Sequence, residues 1–552
     1  MIRDQGQKGY AVTGFPATPR AREAVRKLMH TGGSIFAVLF LGSCGHLPLL
    51  PAPPGGGDPP LPTNAIYVRA GASNGDGSLD RPFGSIAQAV RSAKSGDTIR
   101  VAAGTYRESI RIDKPLTLIG EPGAIIKGSD IWTGWTREGS YWVRPYNPSF
   151  NRIIRGFCRP NSNGRCQLPD QVFIDGQPLF QETLLSEVGE GDFFVGNGKI
   201  YLGSDPTNRT VEVTNRYRWI EGVNKVGDVR IRGFIFRHAG VDAQHGGIFD
   251  GGGPRWIIEN NDVAYAHGAG IETNGDGAQV LNNLVHNNGQ LGLAGDTGRG
   301  MVIRGNKVYR NNTEDFDTNW EAGGSKWALV KDLLVEDNES YENSGSGFWC
   351  DIECDGVTFR NNRLHHNWKA GIQYEVSKNC TIENNKAWEN GFGFPLWGWG
   401  AGILVQNSSN CVVRNNVVAW NADGISVIQQ SREDHNATEV NGVRVENNTV
   451  AVKAIGVLDY AMGWLTDIAS RSLYTNGTNS GNNNRYYRES TVSAQNVTYR
   501  VNYAWEGEIS DIVRFRATPG GGSGSQEISR AELEVALRNA GIPLQPERNS
   551  PL

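Results

Sequence analysis

The chain has 552 residues, of which 38% are apolar and 20% charged, and its formal net charge is −4. Without a block of Lys and Arg in the folded region, this balance excludes nucleic acid as an expected partner. Glycine is unusually frequent, at 71 residues, which indicates many turns and makes an internal repeat the first feature to test.

The N-terminus has the order of an export signal. Basic residues between Arg20 and Lys27 precede the apolar run Ile35–Leu41. Seven apolar residues are too few for a transmembrane helix, which needs about 20. The sequence Leu-Gly-Ser-Cys that ends at Cys44 resembles a bacterial lipobox, and this resemblance implies that Cys44 carries a lipid. A plain secretory signal is the alternative.

These features predict a signal region over residues 1–44 and a tether over residues 45–63, which are rich in Pro and Gly. The tether would hold the folded part away from a membrane. We therefore expect an exported monomer, anchored at the cell envelope through its lipid or secreted.

A ladder of asparagines marks the repeat. The second residues of successive Asn-rich dipeptides are separated by 22, 23, 32, 24, 23, 31 and 32 residues. A period near 23 residues, with occasional insertions, is typical of β-helix coils, and apolar residues at alternate positions of each strand would fill the interior. We predict that the asparagines stack in a turn, where they satisfy backbone groups and each other; they are Asn261, Asn283, Asn306, Asn338, Asn362, Asn385, Asn416 and Asn448.

The segment Ala65–Tyr106 contains Asn-Gly-Asp-Gly-Ser, Pro-Phe-Gly-Ser-Ile-Ala-Gln-Ala-Val and Ser-Gly-Asp-Thr-Ile-Arg-Val. It resembles the N-terminal cap and first coil of bacterial extracellular β-helix proteins related to pectate lyases, with Ile86–Ala93 as the capping helix. Val172–Gly203 resembles the β-rich insert of several β-helix families that act on carbohydrates.

The resemblance implies an all-β, single-stranded right-handed parallel β-helix over residues 64–470, with the insert at about residues 130–220. Residues 471–552 lack the ladder and are predicted to form a loop-rich cover. The helical spacing of Ser529–Gly541 predicts a terminal helix that shields the last coil.

Cysteine usage suits an oxidising compartment. Cys158 and Cys166 bracket a polar loop and form the predicted disulfide. The repeat places Cys380 and Cys411 in the core, where we expect buried free thiols.

The candidate site is formed by side chains that point outward from one strand of each coil. Counted from the first glycine of that strand, positions two and four point to the same outer face of the sheet. Position four supplies Asn274, Asp296, Asp351, Glu375 and Gln406, while position two includes Trp349 and Gln373. The irregular coil between Asp296 and Asp351 is placed beside this column and contributes Trp320, Glu321 and Lys326.

Aligned like charges do not stabilise an exposed sheet. The column of acids therefore indicates either a functional site or a bound cation. Three interpretations remain open. In the first, a glycoside hydrolase that needs no cofactor uses two carboxyls from Asp351, Glu375, Glu321 and Asp296. In the second, which the resemblance to pectate lyases implies, the acids bind Ca²⁺ and Lys326 is the base of a uronate lyase or epimerase. In the third, the protein binds glycan without catalysis.

All three interpretations have a polysaccharide as the partner, and metal binding through histidine is not expected. Asn274, Gln373 and Gln406 are predicted to contact the sugar, while Trp349 and Trp320 would stack on it. Trp397 lies in an aromatic, Gly-punctuated insertion that either walls the cleft or packs over the sheet. Of the three interpretations, we favour glycoside hydrolysis ahead of elimination.

Overall fold

The structure is a computed structural model that describes residues 65–147, 156–160, 162–395, 397–432, 439–453, 459–468, 473, 478–489, 501–505 and 507–546. The predicted signal region, the lipid site at Cys44 and the tether over residues 45–63 lie outside the described residues. No helix in the described ranges is long and apolar enough to span a membrane.

Three long sheets form the body of the protein, and each contains 13 strands in the described residues. The chain passes through the first, second and third sheets in turn and then begins the next coil, so neighbouring strands pair in parallel. The first sheet consists of Ala65–Val68, Thr98–Val101, Thr117–Gly120, Arg230–Arg232, Ile257–Glu259, Gln279–Leu281, Val302–Arg304, Leu334–Glu336, Thr358–Arg360, Thr381–Glu383, Val412–Arg414, Arg444–Glu446 and Ser480–Asn482.

The second and third sheets follow the same order along the solenoid. The last strand of the third sheet is antiparallel to its neighbour. The second sheet consists of Gly104–Tyr106, Ala124–Lys127, Ile235–Ala239, Asp262–Ala266, Leu284–His286, Lys307–Tyr309, Glu339–Tyr341, Arg363–His365, Lys386–Trp388, Val417–Ala419, Thr449–Lys453, Arg485–Glu489 and Gln526–Glu527. The third sheet consists of Ile110–Ile112, Ile220–Gly222, Gly246–Phe249, Ala269–Glu272, Leu291–Asp296, Gly323–Ala328, Phe348–Asp351, Ile372–Glu375, Ala401–Gln406, Asp423–Gln429, Asp459–Thr466, Val501–Trp505 and Glu508–Ile509.

The core lies between the three sheets. Val280, Ile303 and Val335 occupy paired positions on consecutive strands, and each is buried. Such columns bury apolar surface that a single coil would leave exposed, which stabilises stacking of the coils. The predicted all-β parallel β-helix is confirmed.

The helix predicted at Ile86–Ala93 is present at Ile86–Ser92. The Ser85 hydroxyl accepts a hydrogen bond from the Gln88 amide and caps the N-terminus, while Ile86, Ala89 and Val90 are buried in the main core.

The predicted β-rich insert forms two small sheets. One consists of Ser129–Ile131, Val172–Ile174, Gln177–Pro178 and Val211–Thr214. The other consists of Thr136–Glu138, Tyr141–Pro145, Phe180–Gln181, Asp192–Gly196 and Lys199–Leu202. The insert has an apolar core of its own.

The asparagine ladder stacks as predicted. The Oδ1 atom of Asn362 accepts hydrogen bonds from the backbone N (3.1 Å) and the Nδ2 (3.0 Å) of Asn338. The Nδ2 of Asn362 donates to the Val335 carbonyl oxygen (2.8 Å) and to Asn385 Oδ1 (3.0 Å). Each amide therefore satisfies buried groups of two neighbouring coils, and a one-residue slip between coils would leave those groups unpaired.

The ladder and the sheets continue past residue 470, where the sequence analysis placed the end of the solenoid. Asn448 Nδ2 donates to Asn484 Oδ1 at 3.0 Å, so Asn484 belongs to the same ladder. A larger spacing of 36 residues along the chain separates these two asparagines and obscures the repeat.

The terminal helix runs from Arg530 to Ala540 with a capping box at Ser529 and a left-handed Gly541 after it. Its position differs from the prediction. Leu533 and Leu537 pack with Trp420 and Ala451 on the outside of the second sheet, rather than over the last coil. The reason is an apolar patch on this sheet that the helix buries. The short helix Ile512–Arg516 and the 3₁₀ turns Arg165–Gln167 and Leu185–Glu187 complete the regular structure of the described residues.

The expectation of free thiols at Cys380 and Cys411 is wrong. Both cysteines point into the core from the same position of adjacent coils, with Cα atoms 4.4 Å apart, and they form a disulfide. Cys350 and Cys354 are the buried free cysteines of the described residues.

The ladder generates a stability prediction. Asn362→Ala removes the acceptor of two buried donors and the donors of two buried acceptors, so it should lower the free energy of unfolding by about 2 kcal/mol or more. Gln88→Ala, which removes an exposed side chain, should stay within about 0.5 kcal/mol. Urea denaturation followed by circular dichroism measures both variants, and equal midpoints would contradict a stabilising role of the ladder.

Candidate functional site

The candidate site lies on the outer face of the third sheet. A glycine lies at the start of each strand of the site, two and four residues before the outward side chains. The glycine is required because a second ladder of asparagines packs against it from inside the solenoid. A Cβ atom at Gly347 would lie 2.6 Å from the Gly371 carbonyl oxygen and 2.8 Å from Asn367 Nδ2. Only glycine fits there, and this fixes where each strand starts and which residues point outward. The second ladder, which the sequence analysis missed, consists of Asn288, Asn311, Asn343, Asn367, Asn390 and Asn421.

Asp351 and Glu375 lie side by side on neighbouring strands. Cys350 pairs with Tyr374, which places the next residues of the two strands, Asp351 and Glu375, in the same outward column. Both are buried, with 5% and 7% of their surfaces exposed. The sequence analysis placed both at position four of consecutive coils, and the register confirms that they are neighbours. Strands in such a sheet are about 4.8 Å apart, which sets the scale of the carboxyl separation.

Lys326 lies between two acids. Its Nζ is 3.0 Å from Asp351 Oδ2 and 3.7 Å from Glu321 Oε2, and it donates to the Trp320 carbonyl oxygen at 3.1 Å. Lys326 occupies position two of the irregular coil, and Ala328 occupies position four between Asp296 and Asp351. Burial acts to lower the Lys326 pKa, but Asp351 and Glu321 outweigh it and hold the pKa above its ordinary value.

Glu375 is held by two donors. Gln373 Nε2 donates to its Oε2 at 2.7 Å, and Arg432 forms an ion pair with its Oε1. Burial, followed by the like charge of Asp351, raises the Glu375 pKa despite these donors. The Asp351–Glu375 pair therefore contains one carboxyl held by a lysine and another that retains a proton to higher pH.

Glu321 sits on the segment before the irregular strand. Its Oε2 accepts from Gln244 Nε2 at 2.6 Å, and its backbone oxygen accepts from Gln290 Nε2 at 2.8 Å. Burial raises its pKa, and Lys326 opposes this effect. The predicted disulfide joins Cys158 to Cys166, and both cysteines pack on this segment.

Three site residues were missed by the sequence analysis. Lys369 lies two residues before Gly371, and burial lowers its pKa to about 8. Arg432 and Gln244 come from other coils. The sequence does indicate Lys369, because it is a charged residue in the turn directly before a strand of the site. No local pattern indicates Arg432 or Gln244.

Of the two predicted stacking tryptophans, Trp349 offers no open ring face, whereas Trp320 is half-buried. Trp349 is 2% exposed, and the Nζ atoms of Lys326 and Lys369 lie 4.3 and 5.5 Å from its ring centroid. Trp320 packs edge-on against Phe157, at 5.5 Å between ring centroids. The coil insertions that cover the sheet enclose Trp349, which the period-two pattern could not reveal.

The remaining predicted residues lie farther along the column. Asp296 is two strands from Asp351, and its backbone N donates to Asn274 Oδ1 at 2.6 Å. Asn274 Nδ2 donates to Glu272, and Gln406 Nε2 donates to Gln430 Oε1. The structure does not bring Asp296 and Asn274 to the carboxyl pair, whereas Gln406 lies next to Glu375 in register.

The aromatic insertion covers the sheet beside the site. Trp397 and Trp399 pack on an outward apolar patch that includes Leu404, Ile428 and Leu465. Packing over the sheet is therefore the observed role of Trp397. Phe394, on the same insertion, stays 38% exposed and lies 5.8 Å from Lys369 Nζ, so it borders the site.

Within the described ranges, no group of three or more His, Cys, Asp or Glu side chains is arranged to hold a metal ion. Three acids of the site have cationic partners: Lys326 contacts Asp351 and Glu321, and Arg432 contacts Glu375.

Family models and solved structures agree with the fold. The model of the right-handed beta helix region matches residues 220–386 and 319–472. A model of a protein family of unknown function, DUF1565, matches residues 69–135. The fold thus defines the class of this chain as right-handed parallel β-helix, as predicted.

XylC, solved in complex with xylose, shares 19% identity over 77% of this chain and 84% of its own, with a TM-score of 0.62. The A-module of the Azotobacter vinelandii mannuronan C-5 epimerase AlgE6 has 14% identity, coverage of 80% and 94%, and a TM-score of 0.44. Pectate lyase Pel9A has 14% identity, coverage of 80% and 78%, and a TM-score of 0.34. No curated protein sequence matches the chain.

The buried Lys326–Asp351 pair generates the second prediction. Lys326→Met leaves two acids buried without their cation and should lower the free energy of unfolding by about 3–5 kcal/mol. Adding Asp351→Asn should recover part of that loss, which urea denaturation of both single variants and the double variant measures. The surface pair Lys378–Asp355 serves as a control, since Lys378→Met should change stability by about 1 kcal/mol or less. Additive effects of Lys326→Met and Asp351→Asn would contradict the coupling.

Proposed function

We propose that this protein is a retaining glycoside hydrolase that acts on a polysaccharide outside the cytoplasm. The observation that carries the proposal is the Asp351–Glu375 pair, in which two buried carboxyls on adjacent strands have different partners. Lys326 forms an ion pair with Asp351, while burial and the charge of Asp351 raise the Glu375 pKa. This asymmetry matches the nucleophile and the general acid of glycoside hydrolysis.

The proposed reaction has two steps. Asp351 attacks the anomeric carbon, and Glu375 gives its proton to the departing glycosidic oxygen, so that a glycosyl ester of Asp351 forms. Glu375, now ionised, removes a proton from water, and this water hydrolyses the ester and frees Asp351. A strand spacing of about 4.8 Å is close to the separation of about 5–5.5 Å that retaining enzymes use.

The lyase interpretation has less support. A base must be unprotonated to remove the proton beside a uronate carboxyl, and Lys326 is held as ammonium by Asp351 and Glu321. The binding interpretation explains neither the buried pair nor the raised Glu375 pKa. XylC shares only the fold at this level of identity, so the proposal rests on the carboxyl pair.

The proposed location is the cell envelope, with attachment through a lipid on Cys44 and the Pro/Gly-rich tether. A lipobox-like sequence after basic and apolar segments supports it. The enzyme would then meet its glycan outside the membrane, as a monomer and without a cofactor.

The third prediction tests the two roles. Asp351→Asn should lower kcat/KM on every hydrolysed substrate by on the order of 10⁴-fold or more, because the nucleophile is lost. Glu375→Gln should lower it by roughly 10²–10⁴-fold on sugar leaving groups and less on nitrophenyl glycosides, whose leaving group needs little protonation.

The assay uses neutral and uronic polysaccharides and nitrophenyl glycosides, with reducing ends and ultraviolet absorbance followed together. Proton NMR of the first product should show the retained anomer. Asp355→Asn, a surface carboxyl, is the matched control. Inverted product, unsaturated products that absorb in the near ultraviolet, or full activity of both site variants would each refute the mechanism.

The fourth prediction concerns pH. The general acid works in its protonated form, so activity falls as pH rises through the Glu375 pKa. Arg432 favours the ionised form of Glu375, and Arg432→Met removes that cation; the Glu375 pKa should therefore rise. The basic limb of the pH profile of kcat/KM should move upward by about one pH unit. A limb that stays in place or moves downward would contradict Glu375 as the acid.

A further inference from the structure

Lys369 is a buried cation that the proposed reaction does not use. Only 3% of its surface is exposed, and it lies in the turn that leads into the Glu375 strand. Its Nζ donates to the Thr318 carbonyl oxygen at 3.0 Å and to Asn319 Oδ1 at 3.3 Å. Both acceptors are neutral, and an ammonium group has three donors.

The two lysines of the site differ in their partners. Lys326 Nζ contacts carboxylates of Asp351 and Glu321. Over the described part of the chain, no carboxylate oxygen forms an ion pair with Lys369 within 4.0 Å. Buried ammonium groups are rarely left without an anion, because removal of a charge from water is costly.

The position of Lys369 directs this charge toward the site. Its Nζ lies 5.5 Å from the ring centroid of Trp349 and 5.8 Å from that of Phe394, and Phe394 reaches solvent. The nearby acid with the largest electrostatic effect on it is Glu375. When Glu375 carries the proton that it needs as general acid, it no longer offsets the Lys369 charge. An anion at this position would do so.

We propose that Lys369 is a specificity-determining residue that binds an anionic group of the sugar next to the carboxyl pair. The group is a carboxylate, as in a uronic acid, or a sulfate ester. An oxygen of this group accepts the third N–H of Lys369, and Phe394 borders the same space. The inference rests on the proposed hydrolase function and narrows its substrate class to acidic glycans.

The first experiment compares matched nitrophenyl glycosides that differ only at C6: glucoside with glucuronide and galactoside with galacturonide, in both anomers. The wild type should favour the uronide of the pair that it hydrolyses. Lys369→Met should lower the ratio of kcat/KM for uronide over neutral glycoside by roughly 10- to 100-fold, the loss expected for one charge-assisted hydrogen bond. Lys369→Arg, which keeps the charge, should retain part of the preference. Lys378→Met is the surface control.

A second experiment separates this inference from the hydrolase proposal. Calorimetry measures binding of glucuronate, galacturonate, glucose, galactose and galactose 6-sulfate to the wild type and to Lys369→Met. If the wild type binds an acidic sugar and Lys369→Met does not, the anion site is supported even if no glycoside is hydrolysed. Comparison of the affinities for the uronates and for galactose 6-sulfate identifies the anionic group. A folded Lys369→Met with an unchanged uronide ratio and unchanged binding, or a wild type that favours neutral sugars, would overturn the inference.

Discussion

The stacking register of the coils is the constraint on which the rest of the structure depends. Two buried asparagine ladders hold this register, since each amide pairs with the next coil at about 3 Å. Parallel strands alone would tolerate a slip, whereas a slipped ladder leaves buried donors unpaired. The second ladder also excludes side chains behind Gly347 and Gly371, and so fixes the outward residues that follow.

The irregular gaps of the repeat surround the carboxyl pair. Asp351 and Glu375 lie in coils of near-regular length, while the longer coils on either side carry insertions. One insertion supplies Glu321, another supplies Phe394, and a third supplies Arg432. The regular coils thus provide the spacing of the reacting groups, and the insertions provide burial and opposite charge. A rigid scaffold with variable loops is a common way to build a site.

The electrostatics follow from this enclosure. On an open sheet, solvent would screen the interactions among Asp351, Glu375 and Lys326. Covered by the insertions, Asp351 forms an ion pair with Lys326, while burial raises the Glu375 pKa. The fold gives the two acids different chemistry although they occupy equivalent positions of the repeat.

The sequence by itself determined the solenoid, the first ladder and the adjacency of Asp351 and Glu375, because these depend on a repeat and on strand alternation, which are local. Only the tertiary structure decided which cations contact these acids, that Trp349 is enclosed, and that Cys380 joins Cys411. The first two features depend on how insertions from different coils pack against the sheet, whereas the disulfide depends on the side-chain geometry of two core cysteines in adjacent coils. No local pattern encodes such contacts.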